Sequence, residues 1–178
     1  MNLADFTSAG LILPYLRSED AASAIQALSH VLQQENRIPD MLPFYQAALN
    51  REYMAGTEIE AGMAFPHARM PGLKDVAFAL GRCPEPMAWG PRGVRSVRLV
   101  FLLAVPATDA TQYLLLISGL VRMARNQELL QKLQNAEDPF LIYELLKQVE
   151  LRSVGQPAGM KREGIRGEDQ ELSAKRLS

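Results

Sequence analysis

The sequence predicts an α/β domain in which helices cover both faces of a small sheet. Three observations carry that prediction. Helix-spaced apolar stripes alternate with short apolar runs along residues 1–150. One run, Leu99 to Val105, is continuously apolar and ends at Pro106, as expected of a central strand covered on both sides. The helix predicted after it is apolar nearly all round, so it too belongs against a core.

Taken in order, Ser18 reads as the N-cap of the first helix, with Glu19 and Asp20 in the first turn where the helix dipole favours anions. Ala21, Ile25, Leu28 and Leu32 then recur at helical spacing, to about Gln34. A second helix follows Pro39-Asp40, with Leu42, Tyr45, Leu49 and Tyr53 on one face. Met63-Ala64-Phe65 is a short apolar strand ended by Pro66, and Val76 to Leu80 reads as a buried strand. Pro84, Pro86, Gly90 and Pro91 make Arg82 to Gly93 a loop. Val97 to Val105 is the principal strand, and residues 111–125 form a helix expected to be largely buried. Asp138-Pro139, a cap followed by proline at the first helical position, opens a final helix to about Glu150.

The chain has 178 residues and a net charge of −1, which excludes a broad basic surface for nucleic acid but leaves room for a local phosphate site. The charge is uneven. Residues 1–150 carry thirteen basic against sixteen acidic side chains, −3, and residues 151–178 six against four, +2. The latter segment is polar and unpatterned, so we expect a domain over 1–150 and a flexible C-terminal tail, with room for a short helix around 168–176. A lone cysteine, Cys83, forms no intrachain disulfide, and with two histidines it does not make up a four-ligand zinc site, so no metal is expected. The start MNLADFTSAG has no basic n-region, and no apolar stretch reaches the ~18–20 residues that span a bilayer. A cytoplasmic protein with no direct membrane insertion is expected.

The candidate chemistry rests on the histidines. His30 lies opposite the Ala21/Ile25/Leu28/Leu32 stripe, as an exposed helix residue would. His67 follows Pro66 directly after a short apolar strand, with Arg69 two residues on and Arg51 upstream. A neutral imidazole at a strand end can attack phosphorus while guanidinium groups offset the charge of the transferring phosphoryl.

The wider pattern gives that pair of features a context. Arg51-Glu52, Thr57, Gly62-Met63-Ala64-Phe65-Pro66-His67-Ala68-Arg69, Val76 to Arg82, Pro86-Met87-Ala88-Trp89 and Val97 to Pro106 follow one another over about residues 10–150. In this order they resemble the enzyme IIA family of the phosphoenolpyruvate-dependent sugar phosphotransferase system, in its fructose/mannitol branch that includes the nitrogen-regulatory members. The resemblance implies a small mixed β-sheet with helices on both faces, the mannitol/fructose-type enzyme IIA fold. It implies phosphorylation of His67 by the phosphocarrier protein HPr, with Arg51, Arg69, Thr57 and Tyr113 stabilising phosphate and no metal or organic cofactor. It also implies onward transfer to a IIB domain or, in nitrogen-regulatory members, binding of a regulated target protein.

Two features depart from the family pattern. Thr57-Glu58-Ile59-Glu60 stands where the family usually has Thr-Gly-Ile-Gly, which removes two flexible backbone positions and adds two carboxylates. Tyr113 stands where the family has a second histidine, near a helix N-terminus that attracts anions. Tyr113 reads equally well as a core aromatic. Three readings follow: a working phosphocarrier, a regulatory binding protein of the nitrogen-regulatory kind, and a degenerate relative that only binds a partner. The absence of an attached membrane or IIB domain points toward the regulatory kind.

Overall fold

The computed structural model describes residues 1–90, 95–108 and 110–152, and of Arg95 the backbone only. The predicted tail, apart from Leu151 and Arg152, and Pro91 to Gly93 of the predicted loop lie outside the described residues.

Two 3-10 turns, Leu3–Phe6 and Ala9–Leu11, lead into β1 (Ile12–Leu13). Helices α1 (Ala21–Gln34) and α2 (Met41–Met54) follow, then β2 (Glu58–Ile59), β3 (Met63–Ala64), β4 (His67–Met70), β5 (Ala77–Trp89) and β6 (Arg95–Pro106). Helices α3 (Ala110–Ala124), α4 (Gln127–Asn135) and α5 (Pro139–Lys147) complete the order. The sheet is mixed, in the order β1-β5-β6-β3-β2, with β4 also paired to β6. Strand β6 is antiparallel to β5 on one side and parallel to β3 and then β4 on the other.

The apolar run in β6 serves two cores at once, because side chains alternate across a sheet. Leu99, Phe101, Leu103 and Val105 pack with Leu116, Leu120, Leu133, Ile142 and Leu146 from α3, α4 and α5. Val100, Leu102 and Ala104 pack with Ile25, Leu28, Leu32, Phe44 and Ala48 from α1 and α2. The predicted helix-sheet-helix arrangement is the one observed.

Several local expectations change. The cap of α1 is Asp20 rather than Ser18: its Oδ1 accepts from the Ser23 N–H, and Ser23 Oγ accepts from the Asp20 N–H, a reciprocal capping box. Helix α2 buries Phe44, Ala48 and Glu52, whereas Leu42 and Tyr53 of the predicted face are exposed. The helix is turned because Glu52, polar in the sequence, has internal partners that permit its burial. The predicted loop from Arg82 is instead β5, which continues to Trp89. Pro84 and Pro86 fall in a register shift between Arg82 and Met87, where a strand tolerates residues without an N–H. Helix α3 buries one side only and leaves Leu114 and Val121 exposed. Helix α4, capped by Asn126, was not expected, and α5 ends at Lys147.

Candidate functional site

The sequence motif folds into a strand with one break in it. Met63 faces Leu99, Ala64 faces Val100 and His67 faces Leu103, so β3 and β4 share a single parallel register on β6. Pro66, between them, has no N–H to give to a ladder, while its carbonyl still accepts from the Leu103 N–H at 2.9 Å. Strand periodicity turns His67 and Arg69 to the same face as Met63 and Phe65, which is the face covered by α3.

Tyr113, in the first turn of α3, meets them there. Its ring centroid lies 5.9 Å from that of His67, and the Arg69 guanidinium carbon stands 5.5 Å from the same tyrosine ring. Tyr113 is half-buried and also packs against the core. Arg51 comes from the last turn of α2, where it donates to the Ala55 carbonyl at 3.0 Å. Its charge also acts on His67.

His67 is partly buried, with Nδ1 at 3.1 Å from the Phe65 carbonyl oxygen. A carbonyl only accepts, so Nδ1 carries the hydrogen in this bond and Nε2 carries the lone pair. Burial holds the His67 pKa below its ordinary 6.5, and the charges of Arg51 and Arg69 act in the same direction. The Phe65 hydrogen bond and the Glu52 charge act against them. At neutral pH the ring is therefore neutral and nucleophilic at Nε2.

Thr57 makes no hydrogen bond to His67 among the described residues. Its hydroxyl donates to Glu52 Oε2 at 2.7 Å and accepts from the Phe65 N–H at 3.1 Å. Glu52 is 4% exposed and also receives the Thr57 N–H and the Trp89 Nε1–H, both at 2.8 Å. In the sequence Glu52 stands beside Arg51 with no role of its own. Its burial is invisible in the sequence because the donors that permit it lie 5 and 37 residues away.

The two glutamates in place of glycines sit without backbone strain. Among the described residues between α2 and β4, only Gly62 has a positive φ, 73°. The Glu58 carboxylate lies against the backbone of Gly56 and Gly90, and Glu60 is exposed. His30 is exposed on α1. Burial pushes the Cys83 thiol up to about 11, so it is no nucleophile at neutral pH.

A cleft of about 600 Å³ lies between the α1–α2 turn and the β4–β5 turn, lined by Glu35, Arg37, Lys74 and Asp75 among others. It holds none of the predicted site residues. A histidine that exchanges phosphoryl groups with another protein needs an accessible surface rather than an enclosed pocket, so the His67 cluster remains the candidate. Among the described residues no helix is long and apolar enough to cross a membrane.

The family described as "Phosphoenolpyruvate-dependent sugar phosphotransferase system, EIIA 2" matches residues 5–149. The 2-O-α-mannosyl-D-glycerate-specific EIIABC component of Escherichia coli is 30% identical over 141 residues, covering 78% of this chain and 21% of that protein. The chain thus spans about a fifth of that relative. A nitrogen regulatory protein of Bradyrhizobium diazoefficiens is 27% identical over 146 residues, covering 82% of this chain and 95% of that one. In solved structures, the Escherichia coli complex of mannitol enzyme IIA with phosphorylated mannitol enzyme IIB contains a chain that superposes with a TM-score of 0.65 at 19% identity, covering 78% of this chain and 95% of that one.

Proposed function

The chain belongs to the EIIA 2 family of the phosphoenolpyruvate-dependent sugar phosphotransferase system, and from that premise we propose that it accepts a phosphoryl group from phosphorylated HPr on Nε2 of His67. The observation that carries the proposal is the state of His67: Nδ1 is tied to the Phe65 carbonyl, Nε2 bears the lone pair, the Tyr113 ring lies beside it, and the charges of Arg51 and Arg69 act on it. In the transfer, the Nε2 lone pair forms the new P–N bond as the P–N bond of the donor phosphohistidine breaks, and the donor nitrogen keeps that electron pair. His67 loses no proton, since Nδ1–H stays on the Phe65 carbonyl. The ring becomes cationic, and Arg51 and Arg69 offset the charge on the phosphoryl oxygens. Tyr113 has a hydroxyl that can donate to one of them. No cofactor enters the step.

The phosphoryl group then passes to a IIB domain or serves as a signal to a regulated target protein. The mannitol IIA–IIB complex supports the first partner. Coverage of the nitrogen regulatory protein over nearly its whole length supports the second, and we favour it. A binding-only role is the alternative. The residues favouring it are Glu58, Glu60 and Tyr113, which replace two glycines and a histidine of the family pattern.

Incubation with phosphoenolpyruvate, enzyme I and HPr should add one acid-labile phosphoryl group per chain, and His67→Ala should take none. Labelling that survives His67→Ala would sink the assignment. A wild-type chain that stays unlabelled would leave the binding-only role.

A further inference from the structure

We propose that Glu52 is a positioning residue for phosphoryl transfer, its buried carboxylate fixing, through Thr57 and the Phe65 backbone, the tautomer and orientation of His67. The proposal rests on the phosphocarrier reading for its purpose, though its first readout does not require phosphorylation.

Hydrogen-bond polarity fixes each link. A carboxylate accepts only, and the partners of Glu52 are three donors rather than a cation: the Thr57 N–H and Trp89 Nε1–H on Oε1 and the Thr57 hydroxyl on Oε2. The Thr57 hydrogen is therefore committed to Glu52, which leaves its oxygen free to accept the Phe65 N–H at 3.1 Å. Phe65 is held at its N–H, and its carbonyl, on the next peptide unit across the Cα, receives His67 Nδ1–H. The chain starts in the α2 layer, crosses the sheet edge and ends at a ring facing α3. Trp89, 1% exposed, anchors its far end.

Two consequences help the transfer. The Nδ1–H tautomer keeps the lone pair on the nitrogen that must attack. The ring gains positive charge as Nε2 bonds to phosphorus, and Glu52 contributes a fixed negative charge that favours it. The charged and titratable groups facing His67 are Arg51 and Glu52 from α2, Arg69 from β4 and Tyr113 from α3. Of these, Glu52 is the one anion.

The test uses the full chain labelled with ¹⁵N, whose two histidines give separable imidazole signals, those of His67 being identified by their loss in His67→Ala. The expected wild-type pattern at pH 7.5 is a protonated Nδ1 and a bare Nε2. Glu52→Gln should preserve the fold, since the amide oxygen can still accept from Thr57 N–H and Trp89 and the amide nitrogen can donate to Thr57 Oγ1, although the Thr57 hydroxyl hydrogen loses its acceptor. It removes the charge, so the His67 pKa should drop and kcat for phosphoryl acceptance should fall about tenfold with KM for phosphorylated HPr unchanged. Thr57→Val cuts the chain and should give the mixed tautomers of a free imidazole. Rescue by Thr57→Ser should restore the single form.

An unchanged His67 pKa and kcat in Glu52→Gln would overturn the proposal, as would a single retained tautomer in folded Thr57→Val. If Thr57→Val fails to fold, Glu52→Gln alone decides. A wild-type chain with the expected tautomer and the expected Glu52→Gln pKa change, but no labelling by phosphorylated HPr, would refute the phosphocarrier reading and leave Glu52 controlling the ring.

Discussion

Thr57→Val is the substitution whose cost can be worked most directly from the structure. The Thr57 hydroxyl bridges Glu52 Oε2 at 2.7 Å and the Phe65 N–H at 3.1 Å. Valine keeps the shape of the side chain and breaks both bonds. Neither orphaned group regains water easily, as Glu52 is 4% and Phe65 9% exposed. A buried polar group left unpaired costs about 1–3 kcal/mol, so two cost about 2–6 kcal/mol. The Thr57 N–H to Glu52 survives, which favours the lower half of that range, about 2–4 kcal/mol. For a domain of this size that corresponds to a fall of roughly 4–16 °C in Tm. Thr57→Ser keeps the hydroxyl and should cost about 1 kcal/mol or less. Urea unfolding of the three proteins measures the differences. A valine variant within about 1 kcal/mol of wild type, or a serine variant as damaged as valine, would refute the bridging role.

Other perturbations separate the remaining residues. Arg69→Ala, at an exposed position, should slow phosphoryl acceptance about tenfold to a hundredfold while leaving Tm in place; an unaltered rate would remove Arg69 from the site. Acceptance should be level above pH 7 and decline only below the ordinary histidine value of 6.5, because burial first, then Arg51 and Arg69, hold His67 below it; a decline beginning at higher pH would contradict this. The same shift has a stability consequence. The unfolded chain binds the proton more readily, so the contribution of His67 is complete above pH 6.5 and is lost as pH falls toward the folded value, an effect that His67→Asn should abolish in unfolding titrations. We propose that the domain is complete without the tail: truncation after Arg152 should leave Tm within about 2 °C. Truncation after Glu150 should cost more, since Leu151 covers Gly119 of α3 and donates its N–H to the Met1 carbonyl at 2.9 Å.

What the sequence made legible follows the reach of each signal. The β6 strand was readable because both of its faces are buried, so the apolar run needs no knowledge of its neighbours. The α5 start was readable because Asp138 caps the next turn locally. The placement of His67 and Arg69 on one face follows from strand periodicity alone. By contrast, the turned face of α2 depends on Glu52, whose burial is set by Thr57 and Trp89. The prolines of β5 signalled a loop because the register shift that accommodates them belongs to the pairing with β6. Helix α4 escaped because it buries only Leu129 and Leu133, too few apolar positions to stand out between two stronger helices. Tyr113 was open between core and site, and the structure shows one ring meeting both.

Strand alternation explains why these parts meet at one point. Pro66 gives its carbonyl to Leu103 of β6, and because successive residues of a strand direct their polar backbone groups to alternate sides, Phe65 directs its own away from β6. Pro66 interrupts the ladder without losing register, because its carbonyl still binds Leu103 while its nitrogen offers nothing. Phe65, just before it, then turns its N–H to Thr57 and its carbonyl to His67. The Phe-Pro-His order is thus a backbone device as much as a set of side chains: the residue before the proline carries the N–H that binds Thr57 and the carbonyl that orients the histidine. The glutamates at 58 and 60 leave that device intact, since the turn entering β3 takes its left-handed residue from Gly62. Departures from a family pattern matter where they alter this peptide or the charges around the ring, and Tyr113, in direct contact with His67, is the departure placed to do so.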